Sequence, residues 1–517
     1  MKRRIKLPAG APSGAFSVLY ADKADRLRAL LEIAKALNEE RELDRLLQRI
    51  VSEAARVVDA DRGTLFLVDN DTNTLWSKIA QGVGGEIRIP RGQGIAGLVA
   101  ESGTLVNLPD AYADPRFNPA VDHETGYHTQ TLLCVPMNNS RGDVVGVLQL
   151  LNKFDGVFDY DDEELLMALG GQAASAVENA LLHDEITQLF EGFVNASVVA
   201  IEARDPSTAG HSARVAKLTL GLCDVVELHG TPSWQRQKFL PAQRMELRYA
   251  ALLHDFGKVG VREDVLVKAN KLYPRQLELV RMRFALAKKS LEVEHLQDCV
   301  ALLKASAAPD LIAQQDVDFA IKVAEIDAVL GIAEAANYPT VLQAGSFEAL
   351  QRGAAMQFPA PDGTRQPLLT SAEIEMLSIP RGTLSAEERR EIESHVSHTF
   401  NFLSQIPWSR GLRRVPEIAH GHHEKLNGGG YPLGLPATQI AIEPRMMAIA
   451  DIYDALTASD RPYKKVVPHI NALRILGDEA ECGALDGELV ELFCQARVPE
   501  LVFGTAITEG RRISGVF

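Results

Sequence analysis

The segment LRYAALLHDFGKVGV, residues 247–261, constrains the fold of this chain more than any other stretch. It reads as an apolar helix that ends in His254–Asp255, with Gly257 and Lys258 directly behind. A helix this apolar is buried, and a buried charged pair must meet opposite charge or ligate a metal ion. The fold must therefore bring further polar groups to this helix end from other parts of the sequence.

Four further positions can supply such groups. DPSTAGHSARVAKL contributes His211, EIESHVSHTFNFL contributes His395, and HHEKLNGGGYP contributes His422 and His423 ahead of a glycine-rich turn. Mixed histidine and carboxylate donors suit iron, manganese, zinc or nickel better than calcium or magnesium. The other histidines lack a comparable motif and are expected to be structural: His123, His128, His183, His229, His295, His398, His420 and His469.

Asp451, in MMAIADIYDALTASDRPYKK, completes an order of blocks that can be written H…HD…H…HH…D. This order resembles the HD phosphohydrolase superfamily. HHEKLNGGGYP with the later DALTASDRPYKK resembles its HD-GYP branch, which hydrolyses cyclic dinucleotides, above all cyclic di-GMP. The resemblance covers about 200–274 and 382–475, and it implies an all-α helical bundle.

The resemblance also implies roles for individual residues. Lys258 is expected to act beside Asp255 in catalysis, within reach of a phosphate oxygen, and Arg461 and Lys464 to hold the second phosphate. Tyr431 is expected to line the pocket. Two divalent ions, iron or manganese, are expected on seven ligands, with Asp255 bridging them: His211, His254, Asp255, His395, His422, His423 and Asp451.

Three features depart from the family pattern. Ser207 stands where some members carry a glutamate that supports a third metal, so two metals are expected. Asn427 replaces the usual aspartate, which predicts a differently tuned loop and not an inactive site. The chain between Lys258 and His395 is far longer than a loop and a helix require, which predicts a helix-rich insertion at about 280–380.

The region before residue 162 has a different pattern. Helical periodicity comes first, and RGTLFLVDNDTNTLWSKIA and TLLCVPMNNSRGDVVGVLQLLNK then alternate like antiparallel strands. This α+β pattern resembles a GAF domain, a small-ligand sensor. NKFDGVFDYDDE, residues 152–163, is similar to a motif of GAF domains that bind cyclic nucleotides, where it supports the pocket without touching ligand. A GAF domain that only dimerises is the alternative.

Residues 162–204 read as one long helix without proline. Apolar residues at heptad-like spacing suggest a two-helix seam that joins sensor and effector in a homodimer, and a helix packed on its own domain is the alternative. The spaced residues are Leu169, Ala173, Ala176 and Ala180, followed by Ile186, Phe190, Phe193 and Ser197.

Charge and cysteine content limit the cellular compartment and the classes of binding partner that are expected. A formal net charge of −15 argues against a nucleic-acid polymer or an anionic membrane as partner. Five widely spaced cysteines without a CxxC pair favour a reducing compartment. No signal peptide or apolar stretch of the roughly 18–20 residues needed to span a bilayer is recognised, so a cytoplasmic protein is expected.

Together these observations predict four regions: a flexible segment 1–24, a GAF-like sensor 25–161, a connecting helix 162–204 and an HD-GYP-like domain 205–517. The predicted activity is metal-dependent hydrolysis of cyclic di-GMP to pGpG and onward to GMP, under control of a small ligand, such as a cyclic nucleotide, in the GAF domain. A cyclic GMP-AMP dinucleotide is the alternative substrate. A signalling module with an inactive HD site is the alternative of a different class.

Overall fold

The computed structural model describes residues 30–37, 39–40, 42–80, 86–205, 209–234, 237–339, 346–360, 363–458 and 466–504. The chain divides between Glu191 and Gly192 into two compact units. We call Met1–Glu191 the sheet unit and Gly192–Phe517 the helical unit. An antiparallel sheet flanked by helices forms the first, and helices form nearly all of the second, which is the predicted fold class.

The sheet unit contains six antiparallel strands in the order β3-β2-β1-β6-β5-β4. The strands are β1 (Ala60–Asp69), β2 (Thr74–Ala80), β3 (Ile87–Pro90), β4 (Val106–Leu108), β5 (Leu132–Asn138) and β6 (Val144–Lys153). The helices are α1 (residues 30–37), α2 (Leu43–Val57), α3 (Gly94–Ser102), α4 (Ala120–Thr125) and the long α5 (Tyr160–Arg204).

Strand β5 shows why the sheet is covered on both faces. Leu133, Val135 and Met137 belong to a core that includes residues of α2 and α5, whereas Leu132 and Cys134 belong to a second core with α3. Successive strand residues point to opposite faces, so an unbroken apolar strand requires a layer on each side.

The first half of α5 belongs to the sheet unit's own core. Leu169, Ala173, Ala176 and Ala180 are all buried there. The predicted two-helix seam is therefore wrong for this half, because these residues already pack on their own domain. Farther along, Ile186 and Phe193 are exposed.

Helix α5 departs from the expectation that no apolar stretch is long enough to span a bilayer. Within the described part of the chain it is the one helix long and apolar enough to cross a membrane, with a mean hydropathy of 1.2 over its best window. Of that window, 44% is buried. The same composition is expected of a helix whose first half forms a domain core.

The helical unit begins with α6 (His211–His229), which packs against α7 (Pro241–Leu253) and α16 (Ile442–Thr457). A 3₁₀ segment, Phe256–Gly260, follows α7 and packs against α14. The other helices outside the insertion are α8 (Glu263–Leu266), α13 (Ala386–Glu393), α14 (His395–Leu403), α15 (Val415–His420), α17 (His469–Glu481), α18 (Gly487–Gln495) and α19 (Val498–Phe503).

The predicted insertion contains a helical hairpin, α9 (Pro274–Lys304) and α10 (Pro309–Ala336), followed by α11 (Ser346–Ala355) and α12 (Ser371–Leu377). Two short strands, β7 (Gln357–Pro359) and β8 (Arg365–Pro367), pair between α11 and α12. One face of α9 joins α10, α11 and α12 in a core of its own. The insertion is therefore a packed subdomain and not a long loop.

Candidate metal centre

All seven proposed ligands converge in the helical unit, although they come from five separate helix ends or helices. Six of them are buried, and His423 is partly exposed, with 26% of its side chain accessible. Those six are His211, His254, Asp255, His395, His422 and Asp451.

Three of the histidines are oriented by the same kind of local hydrogen bond. The Nδ1 atoms of His254, His395 and His422 lie 2.7, 2.5 and 2.6 Å from the carbonyl oxygens three residues earlier, in the last turns of α7, α13 and α15. A carbonyl only accepts, so each Nδ1 carries the proton and donates. These carbonyls lie near the C-terminal ends of helices, where intrahelical donors become scarce, and each accepts from a histidine. The lone pair of each ring therefore sits on Nε2.

Those three Nε2 atoms are the unusual feature of the site. Each is buried, and within the described residues none has a hydrogen-bond partner. The Nε2 atoms of His254 and His395 lie 3.4 and 3.3 Å from oxygens of Asp255, which is ion-pair distance without hydrogen-bond geometry. Buried polar atoms are nearly always satisfied, and a metal-ligating histidine usually donates its other nitrogen to a carbonyl. The donor set therefore fits a metal ion.

The donors fall into two groups with Asp255 between them. His211, His254 and Asp451 form one group and His395, His422 and His423 the other, and the donor atoms within each lie within 4.8 Å of one another. The donor atoms of His254, Asp255 and His422 lie equally close and connect the two groups. Oδ2 of Asp255 lies 3.7 Å from His211 Nε2 and 3.4 Å from His254 Nε2, whereas Oδ1 lies 3.3 Å from His395 Nε2. The two carboxylate oxygens thus face different groups.

The histidines of the cluster differ in protonation. Burial lowers the pKa of His254 and that of His422 below the ordinary value, and it lowers the pKa of His423 to about 4, so these rings are neutral at pH 7. Burial also opposes protonation of His211, but hydrogen bonds to Asp451 and Asp454 outweigh it and raise the pKa to about 9. The first group is therefore rich in carboxylate charge that a cation would neutralise.

Asp454 was not recognised from the sequence. It lies three residues after Asp451 on α16, and its Oδ2 is 2.7 Å from His211 Nδ1. Arg214, three residues after His211 on α6, donates to both oxygens of Asp454. Spacing of three residues on a helix puts these pairs on one face, which is the signal that could have identified them.

Lys258 lies within the cluster and not at its rim. Its Nζ is 2.8 Å from Asp255 Oδ2 and 3.4 Å from Asp205 Oδ2. Burial would lower the pKa of Lys258, but these carboxylates raise it, so the ammonium stays charged. Burial would likewise raise the pKa of Asp255, but Lys258 and the histidines hold it well below its ordinary value.

Gly257 allows the helices to approach closely enough to form the cluster. A Cβ at this position would lie 1.8 Å from the carbonyl oxygen of His395. The amide of Gly257 donates to Thr399 Oγ1, which in turn donates to the carbonyl of His254. Thr399, which the sequence did not single out, thereby joins the helix end carrying His254 to the helix carrying His395.

Glu424 shapes the turn after the paired histidines. Its carboxylate is buried and accepts from the backbone amides of Leu433 and Leu435. Asn427 Oδ1 accepts from Gly429 N, and its amide nitrogen lies 3.4 Å from the carbonyl of Cys482. An aspartate could accept the first bond but could not donate the second.

Tyr431 lies beside the donors, as its predicted role requires. Its ring centroid is 4.7 Å from that of His423 and 6.4 Å from that of His395. Burial, together with the charges of Asp451 and Asp255, raises the pKa of Tyr431, so the phenol stays neutral. The ring forms one wall of the cluster.

Three predictions fall on residues that are not described: Arg461, Lys464 and the position of Ser207. His295, predicted to stand alone, has partners. It stacks on Phe319 with ring centroids 4.7 Å apart, and its Nε2 is 3.0 Å from Asp316. Cys299 Sγ is 3.7 Å from the same ring.

The motif at 152–163 has a supporting role in the sheet unit. Lys153 pairs with Asp162, and both are largely buried. Asn152 Oδ1 accepts from the amides of Gln130 and Thr131, and Glu163 accepts from Asn107. These bonds tie the end of β6 to a loop and to the start of α5.

Comparison with protein families identifies both parts of the chain. The GAF domain family matches residues 42–177, and two HD domain families match residues 208–335 and 371–489. The chain therefore contains a GAF domain followed by HD-type sequence. The gap between the two HD matches, 336–370, lies inside the predicted insertion, although the first match extends through α9 and α10.

Curated proteins that are similar to this chain include cyclic nucleotide phosphodiesterases. The dual 3',5'-cyclic-AMP and -GMP phosphodiesterase 11A of Takifugu rubripes is 36% identical over 196 residues, 35% of this chain and 22% of that protein. The probable 3',5'-cyclic phosphodiesterase pde-5 of Caenorhabditis elegans is 37% identical over 171 residues, 30% of this chain and 23% of that protein. The chain thus spans less than a quarter of the length of these relatives.

Two solved structures are similar to part of this chain. The GAF domain of a phosphoenolpyruvate-protein phosphotransferase from Coxiella burnetii is 24% identical, covers 31% of this chain and 96% of its own, and has a TM-score of 0.29. A free methionine-R-sulfoxide reductase from Neisseria meningitidis is 21% identical, covers 34% of this chain and 98% of its own, and has a TM-score of 0.28.

Proposed function

We propose that the chain is a metal-dependent phosphodiesterase that hydrolyses cyclic di-GMP to pGpG and onward to GMP, under control of its GAF domain. The observation that carries this proposal is the set of three buried, unpartnered Nε2 atoms around Asp255. Three such atoms in one cluster favour a bound cation, because each unsatisfied buried group costs about 1–3 kcal/mol. Cytoplasmic location accords with all five cysteines being free.

The ligands we assign are His211, His254 and Asp451 on one side and His395, His422 and His423 on the other, with Asp255 shared. Two divalent ions, iron or manganese, would supply Lewis-acid stabilisation of the phosphoryl oxygens and acidify a water for in-line attack. Two ions agree with the two donor groups.

The chain's own residues have distinct tasks in this proposal. Asp454 accepts from His211 Nδ1 and keeps Nε2 directed toward Asp451 and Asp255. Lys258 remains protonated beside Asp255 and presents positive charge where a phosphate oxygen would lie. Tyr431 offers a neutral ring against which a guanine could stack. Arg461 and Lys464 remain our candidates for the second phosphate.

The test is turnover followed by HPLC, with protein purified anaerobically and loaded with iron or manganese. The substrates are cyclic di-GMP, a cyclic GMP-AMP dinucleotide, cyclic GMP and cyclic AMP. His254→Ala/Asp255→Ala removes one ligand of the first group together with the shared carboxylate, and His295→Ala is the matched control, a histidine outside the cluster. We expect pGpG or GMP from the intact protein and the control only.

Other outcomes separate the alternatives. Product from the mixed dinucleotide alone favours that substrate, and product from a cyclic mononucleotide alone places the activity with the reaction in the names of the curated relatives. Bound metal without turnover of any of them leaves a signalling module, and a chain that binds no metal contradicts the proposal.

The GAF domain is proposed to bind a cyclic nucleotide, supported by the Lys153–Asp162 motif and by relatives named for cyclic nucleotide hydrolysis. Calorimetric titration of cyclic GMP and cyclic AMP into the His254→Ala/Asp255→Ala chain tests this without hydrolysis of the titrant. Binding by this variant supports the sensor role. Failure of both nucleotides to bind contradicts it.

A further inference from the structure

Helix α9 carries two opposite apolar faces, and among the described residues only one of them is buried against other helices. Val280, Phe284 and Ala287 are fully buried in the insertion's core. A second set on the other side is 39–64% exposed. We call this second set the outer seam: Leu279, Met282, Leu286, Val293, Leu296, Val300 and Leu303.

The outer seam has the spacing of a coiled coil. Leu279, Leu286, Val293 and Val300 recur every seven residues as one core position, and Met282, Leu296 and Leu303 occupy the other, with Lys289 filling its one gap. Over these residues the helix is about 36 Å long. A helix that packs only on its own domain needs one apolar stripe, so a second stripe in heptad register predicts a second helix.

We propose that the outer seam is a contact between two copies of this chain, with their α9 helices side by side and antiparallel. The seam is symmetric about residue 291. In an antiparallel pair, Leu279 therefore faces the partner's Leu303, and Leu286 faces the partner's Leu296. Met282 likewise faces the partner's Val300, and Val293 faces the partner's Lys289. Six of the seven seam residues thus meet another seam residue, so the surface is largely complementary to itself.

Charged side chains favour an antiparallel over a parallel pair of α9 helices. Lys289 Nζ lies 2.6 Å from Glu292 Oε2 on its own helix. Near the axis of an antiparallel pair, Lys289 comes beside the partner's Glu292, and the two pairs form an alternating cluster of four charges. In a parallel pair, Lys289 would face the partner's Lys289, which is unfavourable.

The size of the patch agrees with a dimer. Seven half-exposed side chains present on the order of 500 Å² per copy, comparable to the largest apolar patches left on monomers. Two copies together bury about 1,000 Å² through these side chains alone, close to the lower end of specific interfaces once flanking residues are added. The insertion would then serve to join two helical units.

The first test measures association of the full chain by sedimentation equilibrium. Leu286→Glu/Leu296→Glu puts carboxylates into facing layers and should raise the dimer dissociation constant at least 100-fold. Leu228→Glu, which also replaces an exposed leucine with a charge, but on α6, is the matched control and should leave it unchanged. A monomeric wild-type chain, or a variant that associates like wild type, overturns the proposal.

The second test identifies the contact and its direction. Zero-length carbodiimide coupling of a mixture of ¹⁴N and ¹⁵N chains should give hybrid peptides that join Lys289 of one chain to Glu292 of the other. Lys289→Glu should weaken the dimer, and Lys289→Glu/Glu292→Lys should restore it, which a parallel pair would not do. A dimer without hybrid peptides, or without restoration by the charge swap, contradicts the antiparallel contact.

Discussion

Two groups of buried charges, one in each unit, differ in whether their members satisfy one another. In the sheet unit, Lys153 pairs with Asp162, and Asp162 also accepts from the backbone amide of Asp159. In the helical unit, Asp255 lies beside His254 and His395, whose Nε2 atoms have no hydrogen-bond partner among the described residues. Both groups look alike in sequence, as charges next to apolar segments. The first stabilises its fold, and the second is arranged for something bound.

The sharpest test of this difference is Asp255→Asn. The change keeps the shape but removes the shared charge, so we expect bound metal to fall and turnover to drop by on the order of 10³-fold. The free energy of unfolding should change little compared with metal content and turnover, because Asp205 remains as a partner for Lys258. Metal content, turnover and urea unfolding of one preparation check this. A chain that keeps its metal would contradict the assignment of Asp255.

The complementary change is Asp162→Asn in the sheet unit. It leaves Lys153 buried without its carboxylate, which should cost about 3–5 kcal/mol of unfolding free energy. Hydrogen exchange of the sheet-unit amides measures the loss, and metal content of the helical unit should stay at the wild-type value. Loss of metal in the Asp162→Asn variant would contradict the distinction between the two groups of buried charges.

Asp454→Asn should have a smaller effect on the centre. The amide still accepts from His211 Nδ1 but no longer provides charge, and its bonds from Arg214 weaken. Changes to such supporting partners typically lower metal affinity about 10–100-fold. Competition with a chelator measures the affinity. Asp478→Asn, at an exposed position on α17, is the control and should bind metal like wild type.

The smallest expected effect is on the pH dependence of stability, through an ion pair outside the metal centre. Glu388 accepts from Lys268 and Tyr273. Burial would raise the pKa of Glu388, but these bonds and the amide of Ser385 hold it below its ordinary value of 4.5. Its stabilising contribution, about 1 kcal/mol, is complete above that value and is lost as pH falls through the lowered pKa of the folded state.

Glu388→Gln should therefore reduce unfolding free energy at neutral pH and flatten its decline in acid. Denaturant unfolding across this pH range measures both quantities. Glu375→Gln, at an exposed position on α12, should reproduce the wild-type curve. A Glu388→Gln curve that stays parallel to wild type would show that this carboxylate does not titrate differently on folding.

Much of the centre could be predicted because its residues stand in short, local motifs. His254–Asp255 follows an apolar helix, and His422–His423 precedes a glycine turn. Asp454 and Arg214 were missed because each looks like an ordinary surface charge until α6 and α16 pack together. Thr399 was missed for the same reason, since its partners at His254 and Gly257 come from a distant segment.

The helical seams show the opposite case. Leu169 and its neighbours on α5 have a heptad-like spacing, yet they are buried in the sheet unit's own core. The exposed seam lies instead on α9, inside an insertion that the sequence could only delimit. Periodicity gives the apolar face of a helix but not the identity of what covers it.

The sequence alone determined the fold class, the order of the histidine and aspartate blocks and the presence of an insertion, because these depend on local periodicity and spacing. Tertiary structure decided which donors share a group, which buried atoms lack a partner and which apolar stripe is exposed. These properties depend on distances between segments far apart in the chain. Packing fixes those distances, and no local pattern encodes them.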